Sequence, residues 1–184
     1  LNLITNKEDV WRALGTLTTK WAAVTGERHN LTFTAIGGAD YFNQRNDFLS
    51  PPELQFEPLD GQAGTVILGK ASNLNTNLAL NAAHIYTPVS TRWSATTSLG
   101  VQYEYRELNT TSIVGRSLLT GQSSPDQATS RDVAQDVRPV KDLGIYGQEE
   151  VLLLDRRLLL TAGIRADRSS NNGDPDKFFY YPKA

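Results

Sequence analysis

Few residues of this sequence could carry out acid–base or metal chemistry. The chain of 184 residues has no cysteine and two histidines, His29 and His84, so a histidine-based triad or a zinc cluster has little material. The run 171–176 offers oxygen ligands that calcium accepts, but it lacks the spacing of a helix-flanked calcium loop. We therefore expect no catalytic residue, no metal site, no cofactor and no enzymatic activity.

The remaining candidates for acid–base chemistry are carboxylates that lie on the polar side of alternating segments. They are Asp40, Glu104, Glu150 and Asp167. Such a polar side needs charged groups for solvation and for ion pairs with Arg106 and Arg165. Solvation of a polar face is the interpretation that we favour over a pair of catalytic carboxylates.

The clearest alternating segment runs from Trp93 to Arg106, with apolar residues at odd positions and polar residues at even ones. Because neighbouring side chains of a strand point to opposite faces, one face is apolar and the other polar. From Trp93 to Tyr103 the strand rises about 33 Å, which projects to about 25 Å at a tilt of roughly 40° and fits the apolar band of a membrane barrel. A half-buried strand of a soluble β-sandwich is the alternative.

The same alternation predicts three antiparallel hairpins and the start of a further strand. The paired segments are Thr16–Val24 with Asn30–Phe42, Asn73–Thr87 with Trp93–Arg106, and Asp142–Leu154 with Leu158–Asp167, followed by Phe178–Ala184. Short turns alternate with long loops near 43–70, 108–140 and 169–176, as in outer-membrane barrels with short inner turns and long outer loops. The predicted fold class is all-β, an antiparallel meander of about 7–8 strands forming part of a transmembrane outer-membrane β-barrel.

Two segments fit this pattern less well. Residues Leu1–Leu14 are predicted as a loop, with a short helix capped by Asn6 as the alternative. Glu149 lies among the apolar positions of its strand, which indicates either a position shielded from lipid or a β-bulge that changes the phase.

Alternation also assigns side chains to the two sides of the wall. The residues predicted to face the lumen are Thr32, Asp40, Asn77, Asn81, Gln102, Glu104, Arg106, Gln148, Glu150, Arg165 and Asp167. The aromatic residues predicted to anchor the membrane interfaces are Trp21, Tyr86, Trp93, Tyr103 and Tyr105.

Composition excludes several classes of protein. A net charge of -2 is not that of a basic nucleic-acid binder, so we expect no nucleic-acid partner. A mean hydropathy of -0.38 without a long apolar run argues against a membrane-spanning helix. The chain begins at Leu1 with no charged-then-apolar leader, and we expect it to be an internal piece of a longer protein.

The segment from Asp142 to Ser170, continued through Gly173–Phe179 and Tyr181–Ala184, resembles the barrel of TonB-dependent outer-membrane receptors, most of all their SusC/RagA-type branch. In that branch a strand with Tyr and Gln runs to a short Asp-Arg turn, and a leucine-rich strand then ends in Arg-x-Asp and a Ser-rich outer loop. The positions that match are Asp155, Arg156, Arg165, Asp167, Ser169, Ser170 and Pro182.

The resemblance implies active uptake across the bacterial outer membrane. It implies a large barrel in membrane lipid, closed by an N-terminal plug that lies outside residues 1–184 and is pulled by a TonB-type energy-transducing protein. It also implies a nutrient of the glycan or peptide class and a surface lipoprotein lid as a possible partner. A soluble extracellular β-sandwich that binds carbohydrate is the alternative function, and an outer-membrane barrel enzyme is a third hypothesis.

Overall fold

The computed structural model describes residues 3–90 and 92–184, which form seven strands. These are β1 (Thr5–Thr25), β2 (His29–Ser50), β3 (Thr65–Tyr86), β4 (Ser94–Arg116), β5 (Ser130–Leu153), β6 (Leu158–Ser169) and β7 (Phe179–Lys183). They form one antiparallel meander in chain order, which confirms the predicted all-β fold class. Within the described ranges, no helix has the length and apolarity needed to cross a membrane.

The pairing of β5 with β6 explains how the alternating sequence produces two faces. The register runs without a break from Asp142 opposite Ser169 to Leu153 opposite Leu158. Glu149 lies opposite Ala162 in this register, so the hypothesis of a bulge at Glu149 is wrong for the β5–β6 pair. An unbroken register keeps every second side chain of both strands on the same face.

The long loops are shorter than the sequence predicted. The segment predicted as a loop near 43–70 is strand up to Ser50 and again from Thr65, and the one near 108–140 is strand up to Arg116 and again from Ser130. Their loops are 51–64 and 117–129, whereas 170–178 lies close to the predicted 169–176. Polar and threonine-rich segments can continue a strand when a neighbour supplies hydrogen bonds, and Pro51 then ends β2 because proline has no N–H to donate. The outer location of these loops and the absence of the plug stay predictions.

The start of the chain also differs from the prediction of a loop or short helix over Leu1–Leu14. Residues 1 and 2 lie outside the described residues, and β1 begins at Thr5. Contacts with β2 hold this segment extended, since Arg12 hydrogen-bonds Asp40 and the rings of Trp11 and Tyr41 lie 5.7 Å apart, edge to face. Such cross-strand pairs stabilise a sheet and outweigh a weak local preference.

The chain divides into two compact units. Unit 1 comprises Leu1–Ala13, Asp40–Leu74 and Glu107–Pro139. Val66 of β3 and the loop residues Leu118 and Ala128 form a small core in which each is at most 4% exposed. The backbone N–H of Gly64 donates to Glu57 Oε2 at 2.9 Å, which ties the end of the first long loop to its short 3-10 turn.

Unit 2 comprises Leu14–Ala39, Asn75–Arg106 and Val140–Ala184. One face of its sheet leaves large apolar side chains open, with Leu99 at 55%, Leu160 at 53% and Ile164 at 54% exposure. All the described strands belong to one sheet, so the described residues do not form the second packed sheet that a β-sandwich requires.

Candidate functional site

The opposite, polar face of unit 2 holds most of the residues predicted to face a lumen. The β5–β6 register places Tyr146 opposite Arg165 and Gly144 opposite Asp167, so these four positions lie on one face. Asn77 and Asn81 of β3, Gln102, Glu104 and Arg106 of β4, and Gln148 and Glu150 of β5 belong to the same unit. The alternation of the sequence is what collects polar groups from four strands on this surface.

Charged groups at one end of this face form a hydrogen-bonded groove. Arg165 Nε donates to both carboxylate oxygens of Asp167, at 2.8 and 2.9 Å. Gln102 Nε2 donates to Glu104 Oε1 at 2.8 Å. The groove has a volume of about 210 Å³ and is lined by Gln102, Glu104, Asp142, Leu143, Gly144, Arg165, Asp167, Arg168 and Ser169. Its wall therefore presents both donors and acceptors to whatever lies against it.

Further pairs extend the polar face along the strands. Arg106 Nη2 donates to Asp142 Oδ2 at 2.9 Å, and Gln148 Nε2 donates to Glu150 Oε1 at 2.6 Å. Lys183 Nζ of β7 donates to Gln148 Oε1 at 3.4 Å. Four charges of this face thus form two ion pairs, and three more are hydrogen-bonded to glutamine amides. Such partnered charges suit a wetted surface better than a reactive centre.

A tyrosine crosses the middle of the polar face. Tyr146 on β5 extends over Gly100 of β4 and donates its hydroxyl to Asn81 Oδ1 of β3 at 2.9 Å. A Cβ at Gly100 would overlap the Tyr146 ring and come within 2.6 Å of Asn81 Oδ1. Glycine is therefore required at position 100 for the ring to lie flat across the sheet.

Two other glycines of this face are covered in the same way. The Asn77 amide lies over Gly38, and the side chains of Arg165 and Asp167 lie over Gly144. A missing Cβ lets a long polar side chain lie against the backbone of the neighbouring strand. Each glycine therefore marks a place where a side chain from the next strand crosses.

The structure separates some of the predicted lumen residues from the groove. Thr32 is half-buried on β2. Asp40 belongs to unit 1, where Arg12 donates to its two oxygens at 2.9 and 2.6 Å.

Sequence reasoning missed three residues that complete these contacts: Arg12, Asp142 and Tyr146. The alternation could have identified two of them, because Asp142 and Tyr146 lie at even positions of β5, as do the predicted Gln148 and Glu150. Arg12 was missed because its segment was predicted as a loop.

Aromatic rings gather near the short turns of unit 2. Trp21 stacks on Phe33 with ring centroids 5.6 Å apart, and Tyr86 meets Trp93 edge to face at 5.4 Å. The His29 ring lies 4.8 Å from that of Tyr86. Three of the predicted interface aromatics therefore lie near the short turns, whereas Tyr103, which is 40% exposed, and Tyr105 lie farther along β4. Their role as membrane anchors stays a prediction.

The two histidines meet in this aromatic group, although 55 positions separate them. His29 Nδ1 lies 3.1 Å from His84 Nε2, and the rings are nearly parallel at 9°. One nitrogen must donate and the other accept for this hydrogen bond to form. Over the described ranges, no group of three or more His, Cys, Asp or Glu side chains is arranged to hold a metal ion.

Comparison with known proteins gives matches among solved structures. No family model and no curated protein matches the sequence. A chain of the RagAB peptide importer in its "open-open" state aligns over 98% of this chain and 20% of its own length, with a TM-score of 0.74 and 14% identity. A RagAB chain in the "closed-closed" state aligns over 99% of this chain and 20% of its own, with a TM-score of 0.72 and 13% identity.

A third structure, described as the RagAB peptide transporter, aligns over 98% of this chain and 20% of its own, with a TM-score of 0.71 and 13% identity. The chain thus spans about a fifth of the length of the solved chains that it matches. At these identities the likeness concerns the fold, which is an all-β antiparallel meander similar to the RagAB barrel wall. The resemblance to the SusC/RagA-type branch is confirmed at the level of the fold.

Proposed function

We propose that this chain is a wall segment of a TonB-dependent transporter that imports a nutrient across the bacterial outer membrane. The observation that carries the proposal is the contrast between the two faces of unit 2. Leu99 on one face is 55% exposed, whereas Gln102 and Glu104 on the other lie in a hydrogen-bonded groove. Lipid in contact with the first face and water in contact with the second would give the side chains of each face a favourable environment.

Energetics support this assignment of the faces. Each leucine left in water forgoes about 1.5–3 kcal/mol of stabilisation relative to burial. A row of such residues on one face of a sheet is a liability for a protein in water, but it is the expected lining against hydrocarbon. The likeness to the RagAB barrel wall supports the same placement.

Closure of the wall requires strands beyond this chain in our proposal. The edge strands of the described sheet are β1 and β7, and unpaired backbone groups in hydrocarbon cost several kcal/mol each. Because the chain covers 20% of the matched chain in the "open-open" structure, the remaining strands and the plug would come from the rest of a longer protein. A TonB-type protein would act on that plug, and a surface lipoprotein lid would contact the long loops.

The proposed cargo is a glycan or a peptide. The RagAB chains belong to a peptide importer, so peptides are the first class to test. The donors and acceptors of the polar face would line the aqueous route, as wetted groups that contact cargo without reacting with it.

The test is uptake of labelled peptides and oligosaccharides by cells that carry the full-length protein. We expect uptake that ceases when the gene is deleted or when the energy-transducing protein is inactivated. The protein should fractionate with the outer membrane in wild-type cells and in cells whose energy-transducing protein is inactivated. Recovery of the protein outside the outer membrane, or uptake that persists without the energy-transducing protein, contradicts the proposal.

A further inference from the structure

Arginines concentrate at the three short turns of unit 2, which we call the turn-end belt. The belt comprises the described residues of these turns, which are 26–28, 87–90, 92–93 and 154–157. Its charged residues are Glu27, Arg28, Arg92, Asp155, Arg156 and Arg157, all of them exposed. Four arginines against two carboxylates make the belt positive, although the whole chain has a net charge of -2.

The belt arginines have no acidic partner among the described residues, unlike five of the arginines elsewhere. Arg12, Arg45, Arg106, Arg138 and Arg165 each lie 2.6–2.9 Å from an aspartate oxygen. By contrast, none of the ion pairs formed between described residues includes Arg28, Arg92, Arg156 or Arg157. These four guanidinium groups are therefore open to an external anion.

Main-chain bonds hold the three turns together as one surface. The N–H of Thr87 donates to the Arg28 carbonyl oxygen at 2.8 Å, and the N–H of Asp155 donates to the Arg92 carbonyl oxygen at 3.1 Å. In the third turn Leu154, Asp155 and Arg156 have positive φ angles of 52°, 56° and 70°, so the chain reverses within four residues. The arginines are therefore anchored to neighbouring strand ends and are not carried on long mobile loops.

The surface beside the belt is aromatic and then apolar. Trp93 directly follows Arg92 and packs on Tyr86, which in turn packs on His29 next to Arg28. Farther along the strands, Leu80 and Leu160 are 46% and 53% exposed. A sequence of cation, amphipathic ring and aliphatic side chain matches the headgroup, glycerol and acyl layers of a bilayer.

We infer that the turn-end belt binds the headgroup phosphates of anionic phospholipids in the leaflet next to the short turns. The guanidinium group pairs with phosphate oxygens through two parallel hydrogen bonds, and it is weakly hydrated, which favours contact in an interface. Because an exposed apolar face adjoins the belt, a lipid is a better match to this surface than a free anion or an acidic protein. This inference rests on the proposed placement of the chain in the outer membrane.

The test compares the lipids retained by the full-length protein in nanodiscs made of phosphatidylcholine mixed with phosphatidylglycerol. Lipids that stay bound after release from the disc are counted by native mass spectrometry. We expect the wild type to be enriched in phosphatidylglycerol over the bulk ratio. Because a basic residue near an anionic surface contributes about a factor of five in affinity, Arg92→Gln should lower the enrichment about fivefold, and Arg28→Gln, Arg92→Gln, Arg156→Gln and Arg157→Gln together should abolish it.

The matched control removes the same amount of charge away from the belt, by glutamine at Lys7, Lys70, Arg131 and Lys141, which are exposed. This control should keep the enrichment, and the corresponding Arg→Lys quadruple variant of the belt should keep most of it. If the control loses as much enrichment as the belt variant, net charge is responsible and the inference is overturned.

Two further outcomes separate the inference from the proposed function. If the protein enters the discs but retains both lipids at the bulk ratio, the inference that the belt binds anionic lipid is overturned, and the proposed function is unaffected. If the protein enters neither neutral nor anionic discs, both the inference and the proposed function are overturned. Should the quadruple glutamine variant fail to fold, the single Arg92→Gln variant still decides between enrichment and its loss.

Discussion

Only one of the two units has a buried apolar cluster among the described residues. In unit 1, Val66 of β3 packs with Leu118 and Ala128 of loop 117–129, and all three are at most 4% exposed. Among the described residues of unit 2 no large apolar side chain is buried, and Leu99 and Ile164 are more than half exposed. Unit 1 thus has a small buried core of the kind found in proteins in water, although Trp11 and Leu119 are 61% and 70% exposed, whereas the described residues of unit 2 have no such core. Changes to one apolar side chain should therefore have different consequences in the two units.

The largest effect is expected from Leu118→Ala in unit 1. Truncating a buried leucine removes its transfer free energy and leaves a cavity, at a cost of about 2–5 kcal/mol. Hydrogen exchange of loops 51–64 and 117–129 in the full-length protein would report the loss. Leu160→Ala, at 53% exposure in unit 2, is the matched control, and we expect its cost to be well below that of Leu118→Ala. Equal costs would remove the distinction between the two units.

Leu99→Arg should be the most harmful change on the apolar face of unit 2. An arginine facing lipid near the middle of the membrane costs about 2–4 kcal/mol, measured as the free energy of unfolding of the full-length protein in a bilayer. Gln102→Arg, on the polar face of the same strand, should cost far less because water reaches that face. Equal tolerance at both positions would contradict the assignment of the two faces to lipid and water.

Gly100→Ala tests the crossing of the polar face by Tyr146. The added methyl group must displace the Tyr146 ring, and overpacking of this kind costs about 1–3 kcal/mol of unfolding free energy. In a Tyr146→Ala background, the same substitution should cost clearly less, because the ring is gone and the Asn81 amide, no longer bonded to Tyr146, can move away from the added Cβ. Gly37→Ala is the control, because a Cβ there meets no atom within 4 Å. A Gly100→Ala cost that persists without Tyr146 would indicate another cause.

The smallest effect on stability is expected from Asp167→Asn. The Arg165–Asp167 pair is 43% and 35% exposed, and solvent-exposed ion pairs typically contribute about 0.2–1 kcal/mol. Uptake of cargo by the full-length protein should respond more than its unfolding free energy does, because the pair lines the groove. A large loss of stability with unchanged uptake would place these residues in a structural role alone.

Local alternation was enough to predict the meander and to place Gln102, Glu104, Arg165 and Asp167 on one face, where they line one groove. Strand ends were predicted less well, because polar residues such as those of 108–116 extend a strand only when a neighbouring strand supplies hydrogen bonds. The contacts of Tyr146 with Asn81 and of His29 with His84 join positions 65 and 55 residues apart. Such contacts depend on the register between the strands, which the alternation of apolar and polar residues does not determine.

Gly100 bears on how the strands find that register during assembly. A slip of one residue exchanges the two faces and is strongly opposed, but a slip of two residues keeps every side chain on its own face. After a two-residue slip, Tyr146 would meet Ser98 or Gln102 in place of Gly100, and the ring could no longer lie across β4. Glycine at position 100 therefore favours the native register over registers that also keep every side chain on its own face. A variant at this position should increase the fraction of misassembled protein in addition to lowering the unfolding free energy.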